Sequence, residues 1–117
     1  MELSLNAPQL WFYSEAVDFR KSIDGLSELV HDLMGKQPMQ GAYVFYNRAK
    51  DKIKILAWHG NGFVLLYKRL EKGKFTPPEL DAGEIVSINN KQLSWLLAGL
   101  DWNKMSEWKS LKYDNYI

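Results

Sequence analysis

Apolar residues change their spacing several times along the chain, and those changes outline its elements. Gln-Leu-Trp-Phe-Tyr at 9–13 is a short run of strand formers and predicts a first strand. Phe19, Ile23, Leu26, Val30 and Leu33 then recur at intervals of four and three, which places them on one face of a helix over 19–34. Asp18 or Ser22 is positioned to cap its start, and Gly35 and Pro38 to stop it. Gly25 inside it costs about 1 kcal/mol relative to Ala. Close backbone approach to a neighbouring strand would be a sufficient reason for that glycine.

The middle of the chain reads as three strands, 42–48, 52–58 and 63–69. Ala49-Lys50-Asp51 is a connection of hairpin length, and His59-Gly60-Asn61-Gly62 is a strong turn signal. In the second strand Ile53, Ile55 and Ala57 share one face, and Lys52, Lys54, Leu56 and Trp58 share the other. The pattern predicts an antiparallel meander over 42–69, largely covered on both faces near its middle and charged toward its ends. Thr76-Pro77-Pro78-Glu79 breaks the run, and a further short strand is expected near 84–88. Asn89 followed by Gln92 has capping-box form and opens a helix over 90–98, with Leu93, Leu96, Leu97 and Leu100 as its stripe and Gly99 at C′. The expected fold is therefore α+β: one domain over 1–102, with short outer strands near 9–13 and 84–88 and two main helices. The stretch 103–117, with Trp108, Tyr113 and Tyr116, forms a tail that packs back on the domain or is ordered by a partner.

Composition narrows the class. A chain of 117 residues, 46% hydrophobic and 14% aromatic, can bury one core of ordinary size but not two. The absence of cysteine removes disulfides, thiolate metal sites and cysteine nucleophiles. Runs such as Phe63–Tyr67 are far below the ~20 residues of a membrane span. Met1-Glu2-Leu3-Ser4 has no basic segment and no apolar segment follows, so a cytoplasmic location is expected.

Charge adds a sharper clue. The net value is only +1, but eight basic residues against two acidic ones fall within 41–75, while the flanks on both sides carry an acidic excess. Phosphate-binding, nucleotide-binding, esterase and zinc-protease motifs are all missing, and His31 and His59 lack ligand neighbours at metal spacing. His31 reads as a surface residue of the first helix, and His59 as part of a turn. No enzyme activity, cofactor or metal is expected. The basic centre instead suits the phosphates of DNA, with Arg48, Lys52, Lys54, Lys68, Arg69 and Lys74 as candidate contacts. Arg20 and Lys21, at the start of the first helix, are further candidates, oriented by Asp18 and Asp24 or else paired locally, Arg20 with Asp24. Tyr46, Trp58 and Tyr67 are candidate stacking residues. Two rival readings exist. One is a protein-interaction module built on Trp95, Trp102 and Trp108. The other is a small metal-independent nuclease using His59 or a tyrosine.

Five motifs in order also resemble a known family: Asp18–Leu26 (DFRKSIDGL), Tyr43–Arg48 (YVFYNR), Ile53–Trp58 (IKILAW), Tyr67–Phe75 (YKRLEKGKF) and Leu93–Trp102 (LSWLLAGLDW). Together they are similar to the TnpB-type accessory proteins of the insertion-sequence sixty-six family, over about Trp11 to Trp102. The resemblance implies a bacterial mobile element, a separate larger transposase and other proteins of the same element as partners, and a role in efficient transposition. It marks Asp18, Arg20, Lys21, Asp24, Arg48, Lys54, Lys68, Arg69, Glu71 and Lys74 as matching polar positions and assigns catalysis to none of them. Many members end soon after the position of Trp102.

Overall fold

The computed structural model describes residues 9–104. Five strands and two helices follow in the order β1 (Leu10–Tyr13), α1 (Ile23–Asp32), β2 (Ala42–Tyr46), β3 (Lys52–His59), β4 (Gly62–Arg69), β5 (Ile85–Ser87) and α2 (Asn90–Leu97), with short 3₁₀ turns at Pro38–Gln40 and Trp102–Lys104. One sheet runs in the order β4-β3-β2-β1-β5. The meander β2-β3-β4 is antiparallel throughout, and Tyr46↔Ile53, Lys52↔Arg69 and His59↔Gly62 fix its register. β1 pairs parallel with β2 through the α1 crossover, and β5 closes the other side antiparallel to β1. The fold is thus α+β with a mostly antiparallel sheet.

Each face of the sheet carries one helix. Leu26, Leu29, Val30 and Met34 of the α1 region cover Tyr13, Tyr43, Phe45 and Leu56. Leu93 and Leu96 of α2, with Phe75 and Ile88, cover Leu10, Phe12, Val44, Ile53 and Ile55 on the opposite face. Double coverage explains why every residue of β2 is buried, a continuous apolar run rather than an alternation. It also places β1 inside the sheet, where the sequence pattern suggests an outer strand. Leu10, Phe12 and Tyr13 are buried from both sides, and the true edges are β4 and β5.

Both helices have identifiable ends. The apolar period suggests a start at 19, but α1 begins at Ile23, with Ser22 in extended conformation at N-cap. The Asp18 carboxylate accepts the Arg20 N–H at 2.9 Å and the Asp18 carbonyl accepts the Lys21 N–H at 3.1 Å, so 18–21 closes as a turn instead. At the other end Leu33 is 69% exposed, because the helix has ended by Asp32 and Met34 takes the inward position. Gly25 faces no strand. A Cβ there would meet the aliphatic stem of Lys21 at 3.1 Å, so the glycine makes room for that side chain. In α2 the Asn89–Gln92 capping box forms with bonds of 2.7 and 2.9 Å. Gly99, at φ +79°, ends the helix with Gly99 N–H to Leu96 carbonyl and Leu100 N–H to Trp95 carbonyl, a Schellman closure.

Candidate nucleic-acid interface

The basic residues converge because two segments knit together at one end of the sheet. Between β2 and β3 the Asn47 side chain acts as a clasp. Its Oδ1 accepts the N–H groups of Asp51 and Lys52 at 3.1 and 2.9 Å, and its Nδ2 donates to the Asp51 carboxylate at 2.7 Å. Lys50 occupies the left-handed region at φ +62° to complete the turn. The chain leaving β4 folds back on this turn: Leu70 N–H donates to the Asp51 carbonyl at 2.8 Å and Phe75 N–H to the Lys50 carbonyl at 2.7 Å. Phe75 anchors the return with a ring only 2% exposed. Arg48, Lys50 and Lys52 on one segment thereby meet Arg69, Lys72 and Lys74 on the other, with Asp51 and Glu71 as the acids of these segments.

Within this end the cations differ sharply in what they do. Lys74 Nζ donates to the Ala49 carbonyl at 2.8 Å and stitches the two segments. Lys52 lies 3.5 Å from Asp51, and Arg69 Nε donates to Glu71 at 3.0 Å. Among the described residues no hydrogen bond or ion pair engages the side chains of Arg48, Lys50 or Lys72. Register places Lys52, Lys54 and Arg69 on the α1 face but Lys68 on the opposite one. The four are gathered at one end of the sheet, not over one surface. Lys68 Nζ donates to the Leu97 carbonyl at 2.6 Å, closing the C-terminal end of α2 where the helix dipole favours a cation. Lys54 Nζ donates to the carbonyls of Phe19 and Lys21 at 2.9 and 2.8 Å and sits 4.9 Å from the Phe19 ring centroid. It pins the turn that carries Arg20 and Lys21 against β3. Arg20 grips Asp18, not Asp24, with Nη2 at 2.6 Å and Nε at 3.0 Å.

The aromatic candidates separate as well. Tyr46 is 9% exposed, its ring stacked 5.8 Å from Phe12 and its hydroxyl donating to the Ser14 carbonyl at 2.5 Å, so it belongs to the core. Trp58 packs edge-on against Phe63 at 5.0 Å, at the far end of β3 from Lys52. His59 lies at that far end too, away from the cations. Tyr67 is 55% exposed and stands opposite Lys54. Trp95 is 8% exposed in α2. Trp108 and the rest of 105–117 lie outside the described residues. Asn103, at the start of the expected tail, bonds back to the domain through the Pro77 carbonyl and the Glu79 N–H. The residues that organise the site, Asn47 and Phe75, are not among the candidates that charge counting selects. The signal for Asn47 was the side-chain turn geometry that Asn favours before a hairpin.

A family model described as IS66 Orf2-like protein matches residues 8–107. The chain belongs to this family. Its members are the TnpB-type accessory proteins of IS66 elements, which makes this a transposition-associated accessory protein. Two similar proteins from Sinorhizobium fredii, both described only as uncharacterized, are y4hO, 32% identical over 89% of this chain and 91% of its own length, and y4jC, 34% identical over 79% of each. No solved structure matches the chain.

In this Orf2-like chain the electrostatics of the site follow from local pairing. The Arg20 guanidinium, bonded directly to Asp18, holds that carboxyl at about 2, well below its ordinary 3.8. Asp51 is also lowered, first by the hydrogen bond from Asn47 and then by Lys52. Glu71 raises Arg69 by hydrogen bonding to it. On the β1–β5 side of the same end the sign reverses, where Glu79, Asp81 and Glu84 line a cleft with Ser14, Tyr46 and Lys50. The basic corner and this acidic cleft adjoin at Lys50, which borders both. Among the described residues no helix is long and apolar enough to cross a membrane, and no group of three His, Cys, Asp or Glu could hold a metal ion.

Proposed function

We propose that this Orf2-like protein is a non-catalytic accessory factor of transposition that engages DNA phosphates through the basic corner formed by the β2–β3 turn and the segment after β4. The observation that carries this reading is the convergence of Arg48, Lys50, Lys52, Arg69, Lys72 and Lys74 on one corner, three of them without partners among the described residues. Arg69 holds Glu71 at an exposed, solvent-screened position, and Lys52 meets half-buried Asp51 only at 3.5 Å, so both cations can exchange a carboxylate for a phosphate. Lys54 and Lys68 serve the fold and support the corner instead of touching DNA. Arg20 and Lys21 extend the positive strip along the α1 face.

Such contacts position a protein on DNA without reading its sequence. The test is fluorescence anisotropy of a labelled DNA duplex titrated at salt concentrations from 50 to 200 mM. Release of condensed counterions gives a log–log slope of about −0.9 per phosphate contact, so engagement of the three unpaired cations alone predicts about −2.7. A flat response, or no binding at 50 mM salt, contradicts the proposal. The DNA-bearing face of a transposase complex is the natural setting for this binding, in the cytoplasm of a bacterial cell.

A further inference from the structure

The corner that gathers the phosphates' counter-charges also presents one aromatic ring to solvent, and its surroundings are specific. Tyr67 lies on the edge strand β4, and its residue is 55% exposed. Arg69 stands two residues away on the same face, and Lys54 and Lys52 face Tyr67 and Arg69 across the register. The Lys54 ammonium is fixed by two backbone carbonyls and lies between two rings, 4.9 Å from the Phe19 centroid and 5.9 Å from the Tyr67 centroid, at the outer reach of cation–π attraction for the latter. The same ammonium holds the Phe19–Lys21 turn beside it, carrying Arg20, whose side chain is 91% exposed. The carboxylates facing this patch are Asp18, Asp51 and Glu71, each bound to its own neighbouring cation.

We infer that Tyr67 is a stacking platform for an unpaired base, so that the preferred ligand is single-stranded DNA. This inference rests on the DNA-binding reading and names its substrate class. In a duplex the base faces are hidden in the stack and an edge-strand tyrosine has nothing to cover. In a single strand each base offers a π-face while its phosphates stay within reach of flanking cations, and an aromatic ring between basic side chains serves both needs. A protein partner would be expected to bury an apolar patch around the ring. Here Leu65 and Phe19 on the inner side are already partly buried against the α1 core, and the ring's other neighbours across the sheet and along the strand are Lys54, Lys52 and Arg69, so its open side is basic.

The test compares labelled oligothymidylate with a hairpin duplex of equal phosphate number, for wild-type protein, Tyr67→Ala and Tyr67→Phe. The expected result is tighter binding of the single strand by wild type. Tyr67→Ala should weaken single-strand binding by about fivefold to a hundredfold, the range seen on removing one base–aromatic stack. Duplex affinity and both salt slopes should hold, since no charge is removed, and Tyr67→Phe should behave as wild type. Photo-cross-linking of 5-iodouracil-substituted single strands to the wild-type protein should modify Tyr67. If Tyr67→Ala leaves single-strand affinity unchanged while duplex binding persists, this inference fails and the phosphate-binding proposal stands. Equal loss on both ligands, or cross-linking only at other aromatics, also overturns it. Failure to bind either ligand at 50 mM salt removes both readings.

Discussion

At the scale of single residues, cations that look alike in the sequence divide into three kinds by partner. Lys54, Lys68 and Lys74 end on backbone carbonyls, Arg20, Lys52 and Arg69 on nearby carboxylates, and Arg48, Lys50 and Lys72 on neither. The Asp18–Arg20 pair makes a direct prediction. Because the folded carboxyl is lowered from 3.8 to about 2, the pair's contribution to stability is present above pH 4 and fades as the pH falls toward 2. NMR titration of the Asp18 carboxyl carbon should give a midpoint near 2 in wild type and one moved up toward 3.8 in Arg20→Gln. An unchanged midpoint would show that the guanidinium is not the cause. Residue types and their clustering were legible in the sequence, but their partners were not. Whether a lysine caps a helix or faces solvent depends on which distant carbonyl the fold brings within about 3 Å, as Leu97 is brought to Lys68.

At the scale of elements, periodicity carried most of the reading. The meander, both helices, the Asn89–Gln92 capping box and the Gly99 stop all follow from local patterns. The late start of α1 does not, since a side-chain turn at Asp18 competes with helix for the same N–H groups. Nor does the return after β4, which depends on Phe75 reaching a core formed by α2 and the sheet. Removing that anchor tests its role. Phe75→Ala should cost about 3–5 kcal/mol in urea unfolding, as for other buried aromatics. In whatever folded fraction remains, amide exchange at Leu70 and Phe75 should accelerate more than at the centre of β3. A loss below about 1 kcal/mol, or uniform exchange, would mean that the basic return is held by other contacts.

At the scale of the whole molecule, the strand order was the least legible feature. Local pattern gives the sequential hairpins β2-β3-β4, but not the parallel insertion of β1 between β2 and β5, which is set by two-sided burial. That insertion sets the acidic cleft beside β1 and β5 next to the basic corner, the two meeting at Lys50. The central claim is that this corner meets DNA phosphates, and one measurement addresses it most directly. In the variant Arg48→Gln/Lys50→Gly/Lys72→Gln, glycine suits the left-handed turn at position 50 and no hydrogen bond of the described fold is lost from a side chain. Its log–log salt slope for a DNA duplex, compared with wild type, should shrink in magnitude by about 2.7, roughly 0.9 for each cation removed. An identical slope in a folded variant would place the phosphate contacts elsewhere and contradict the account.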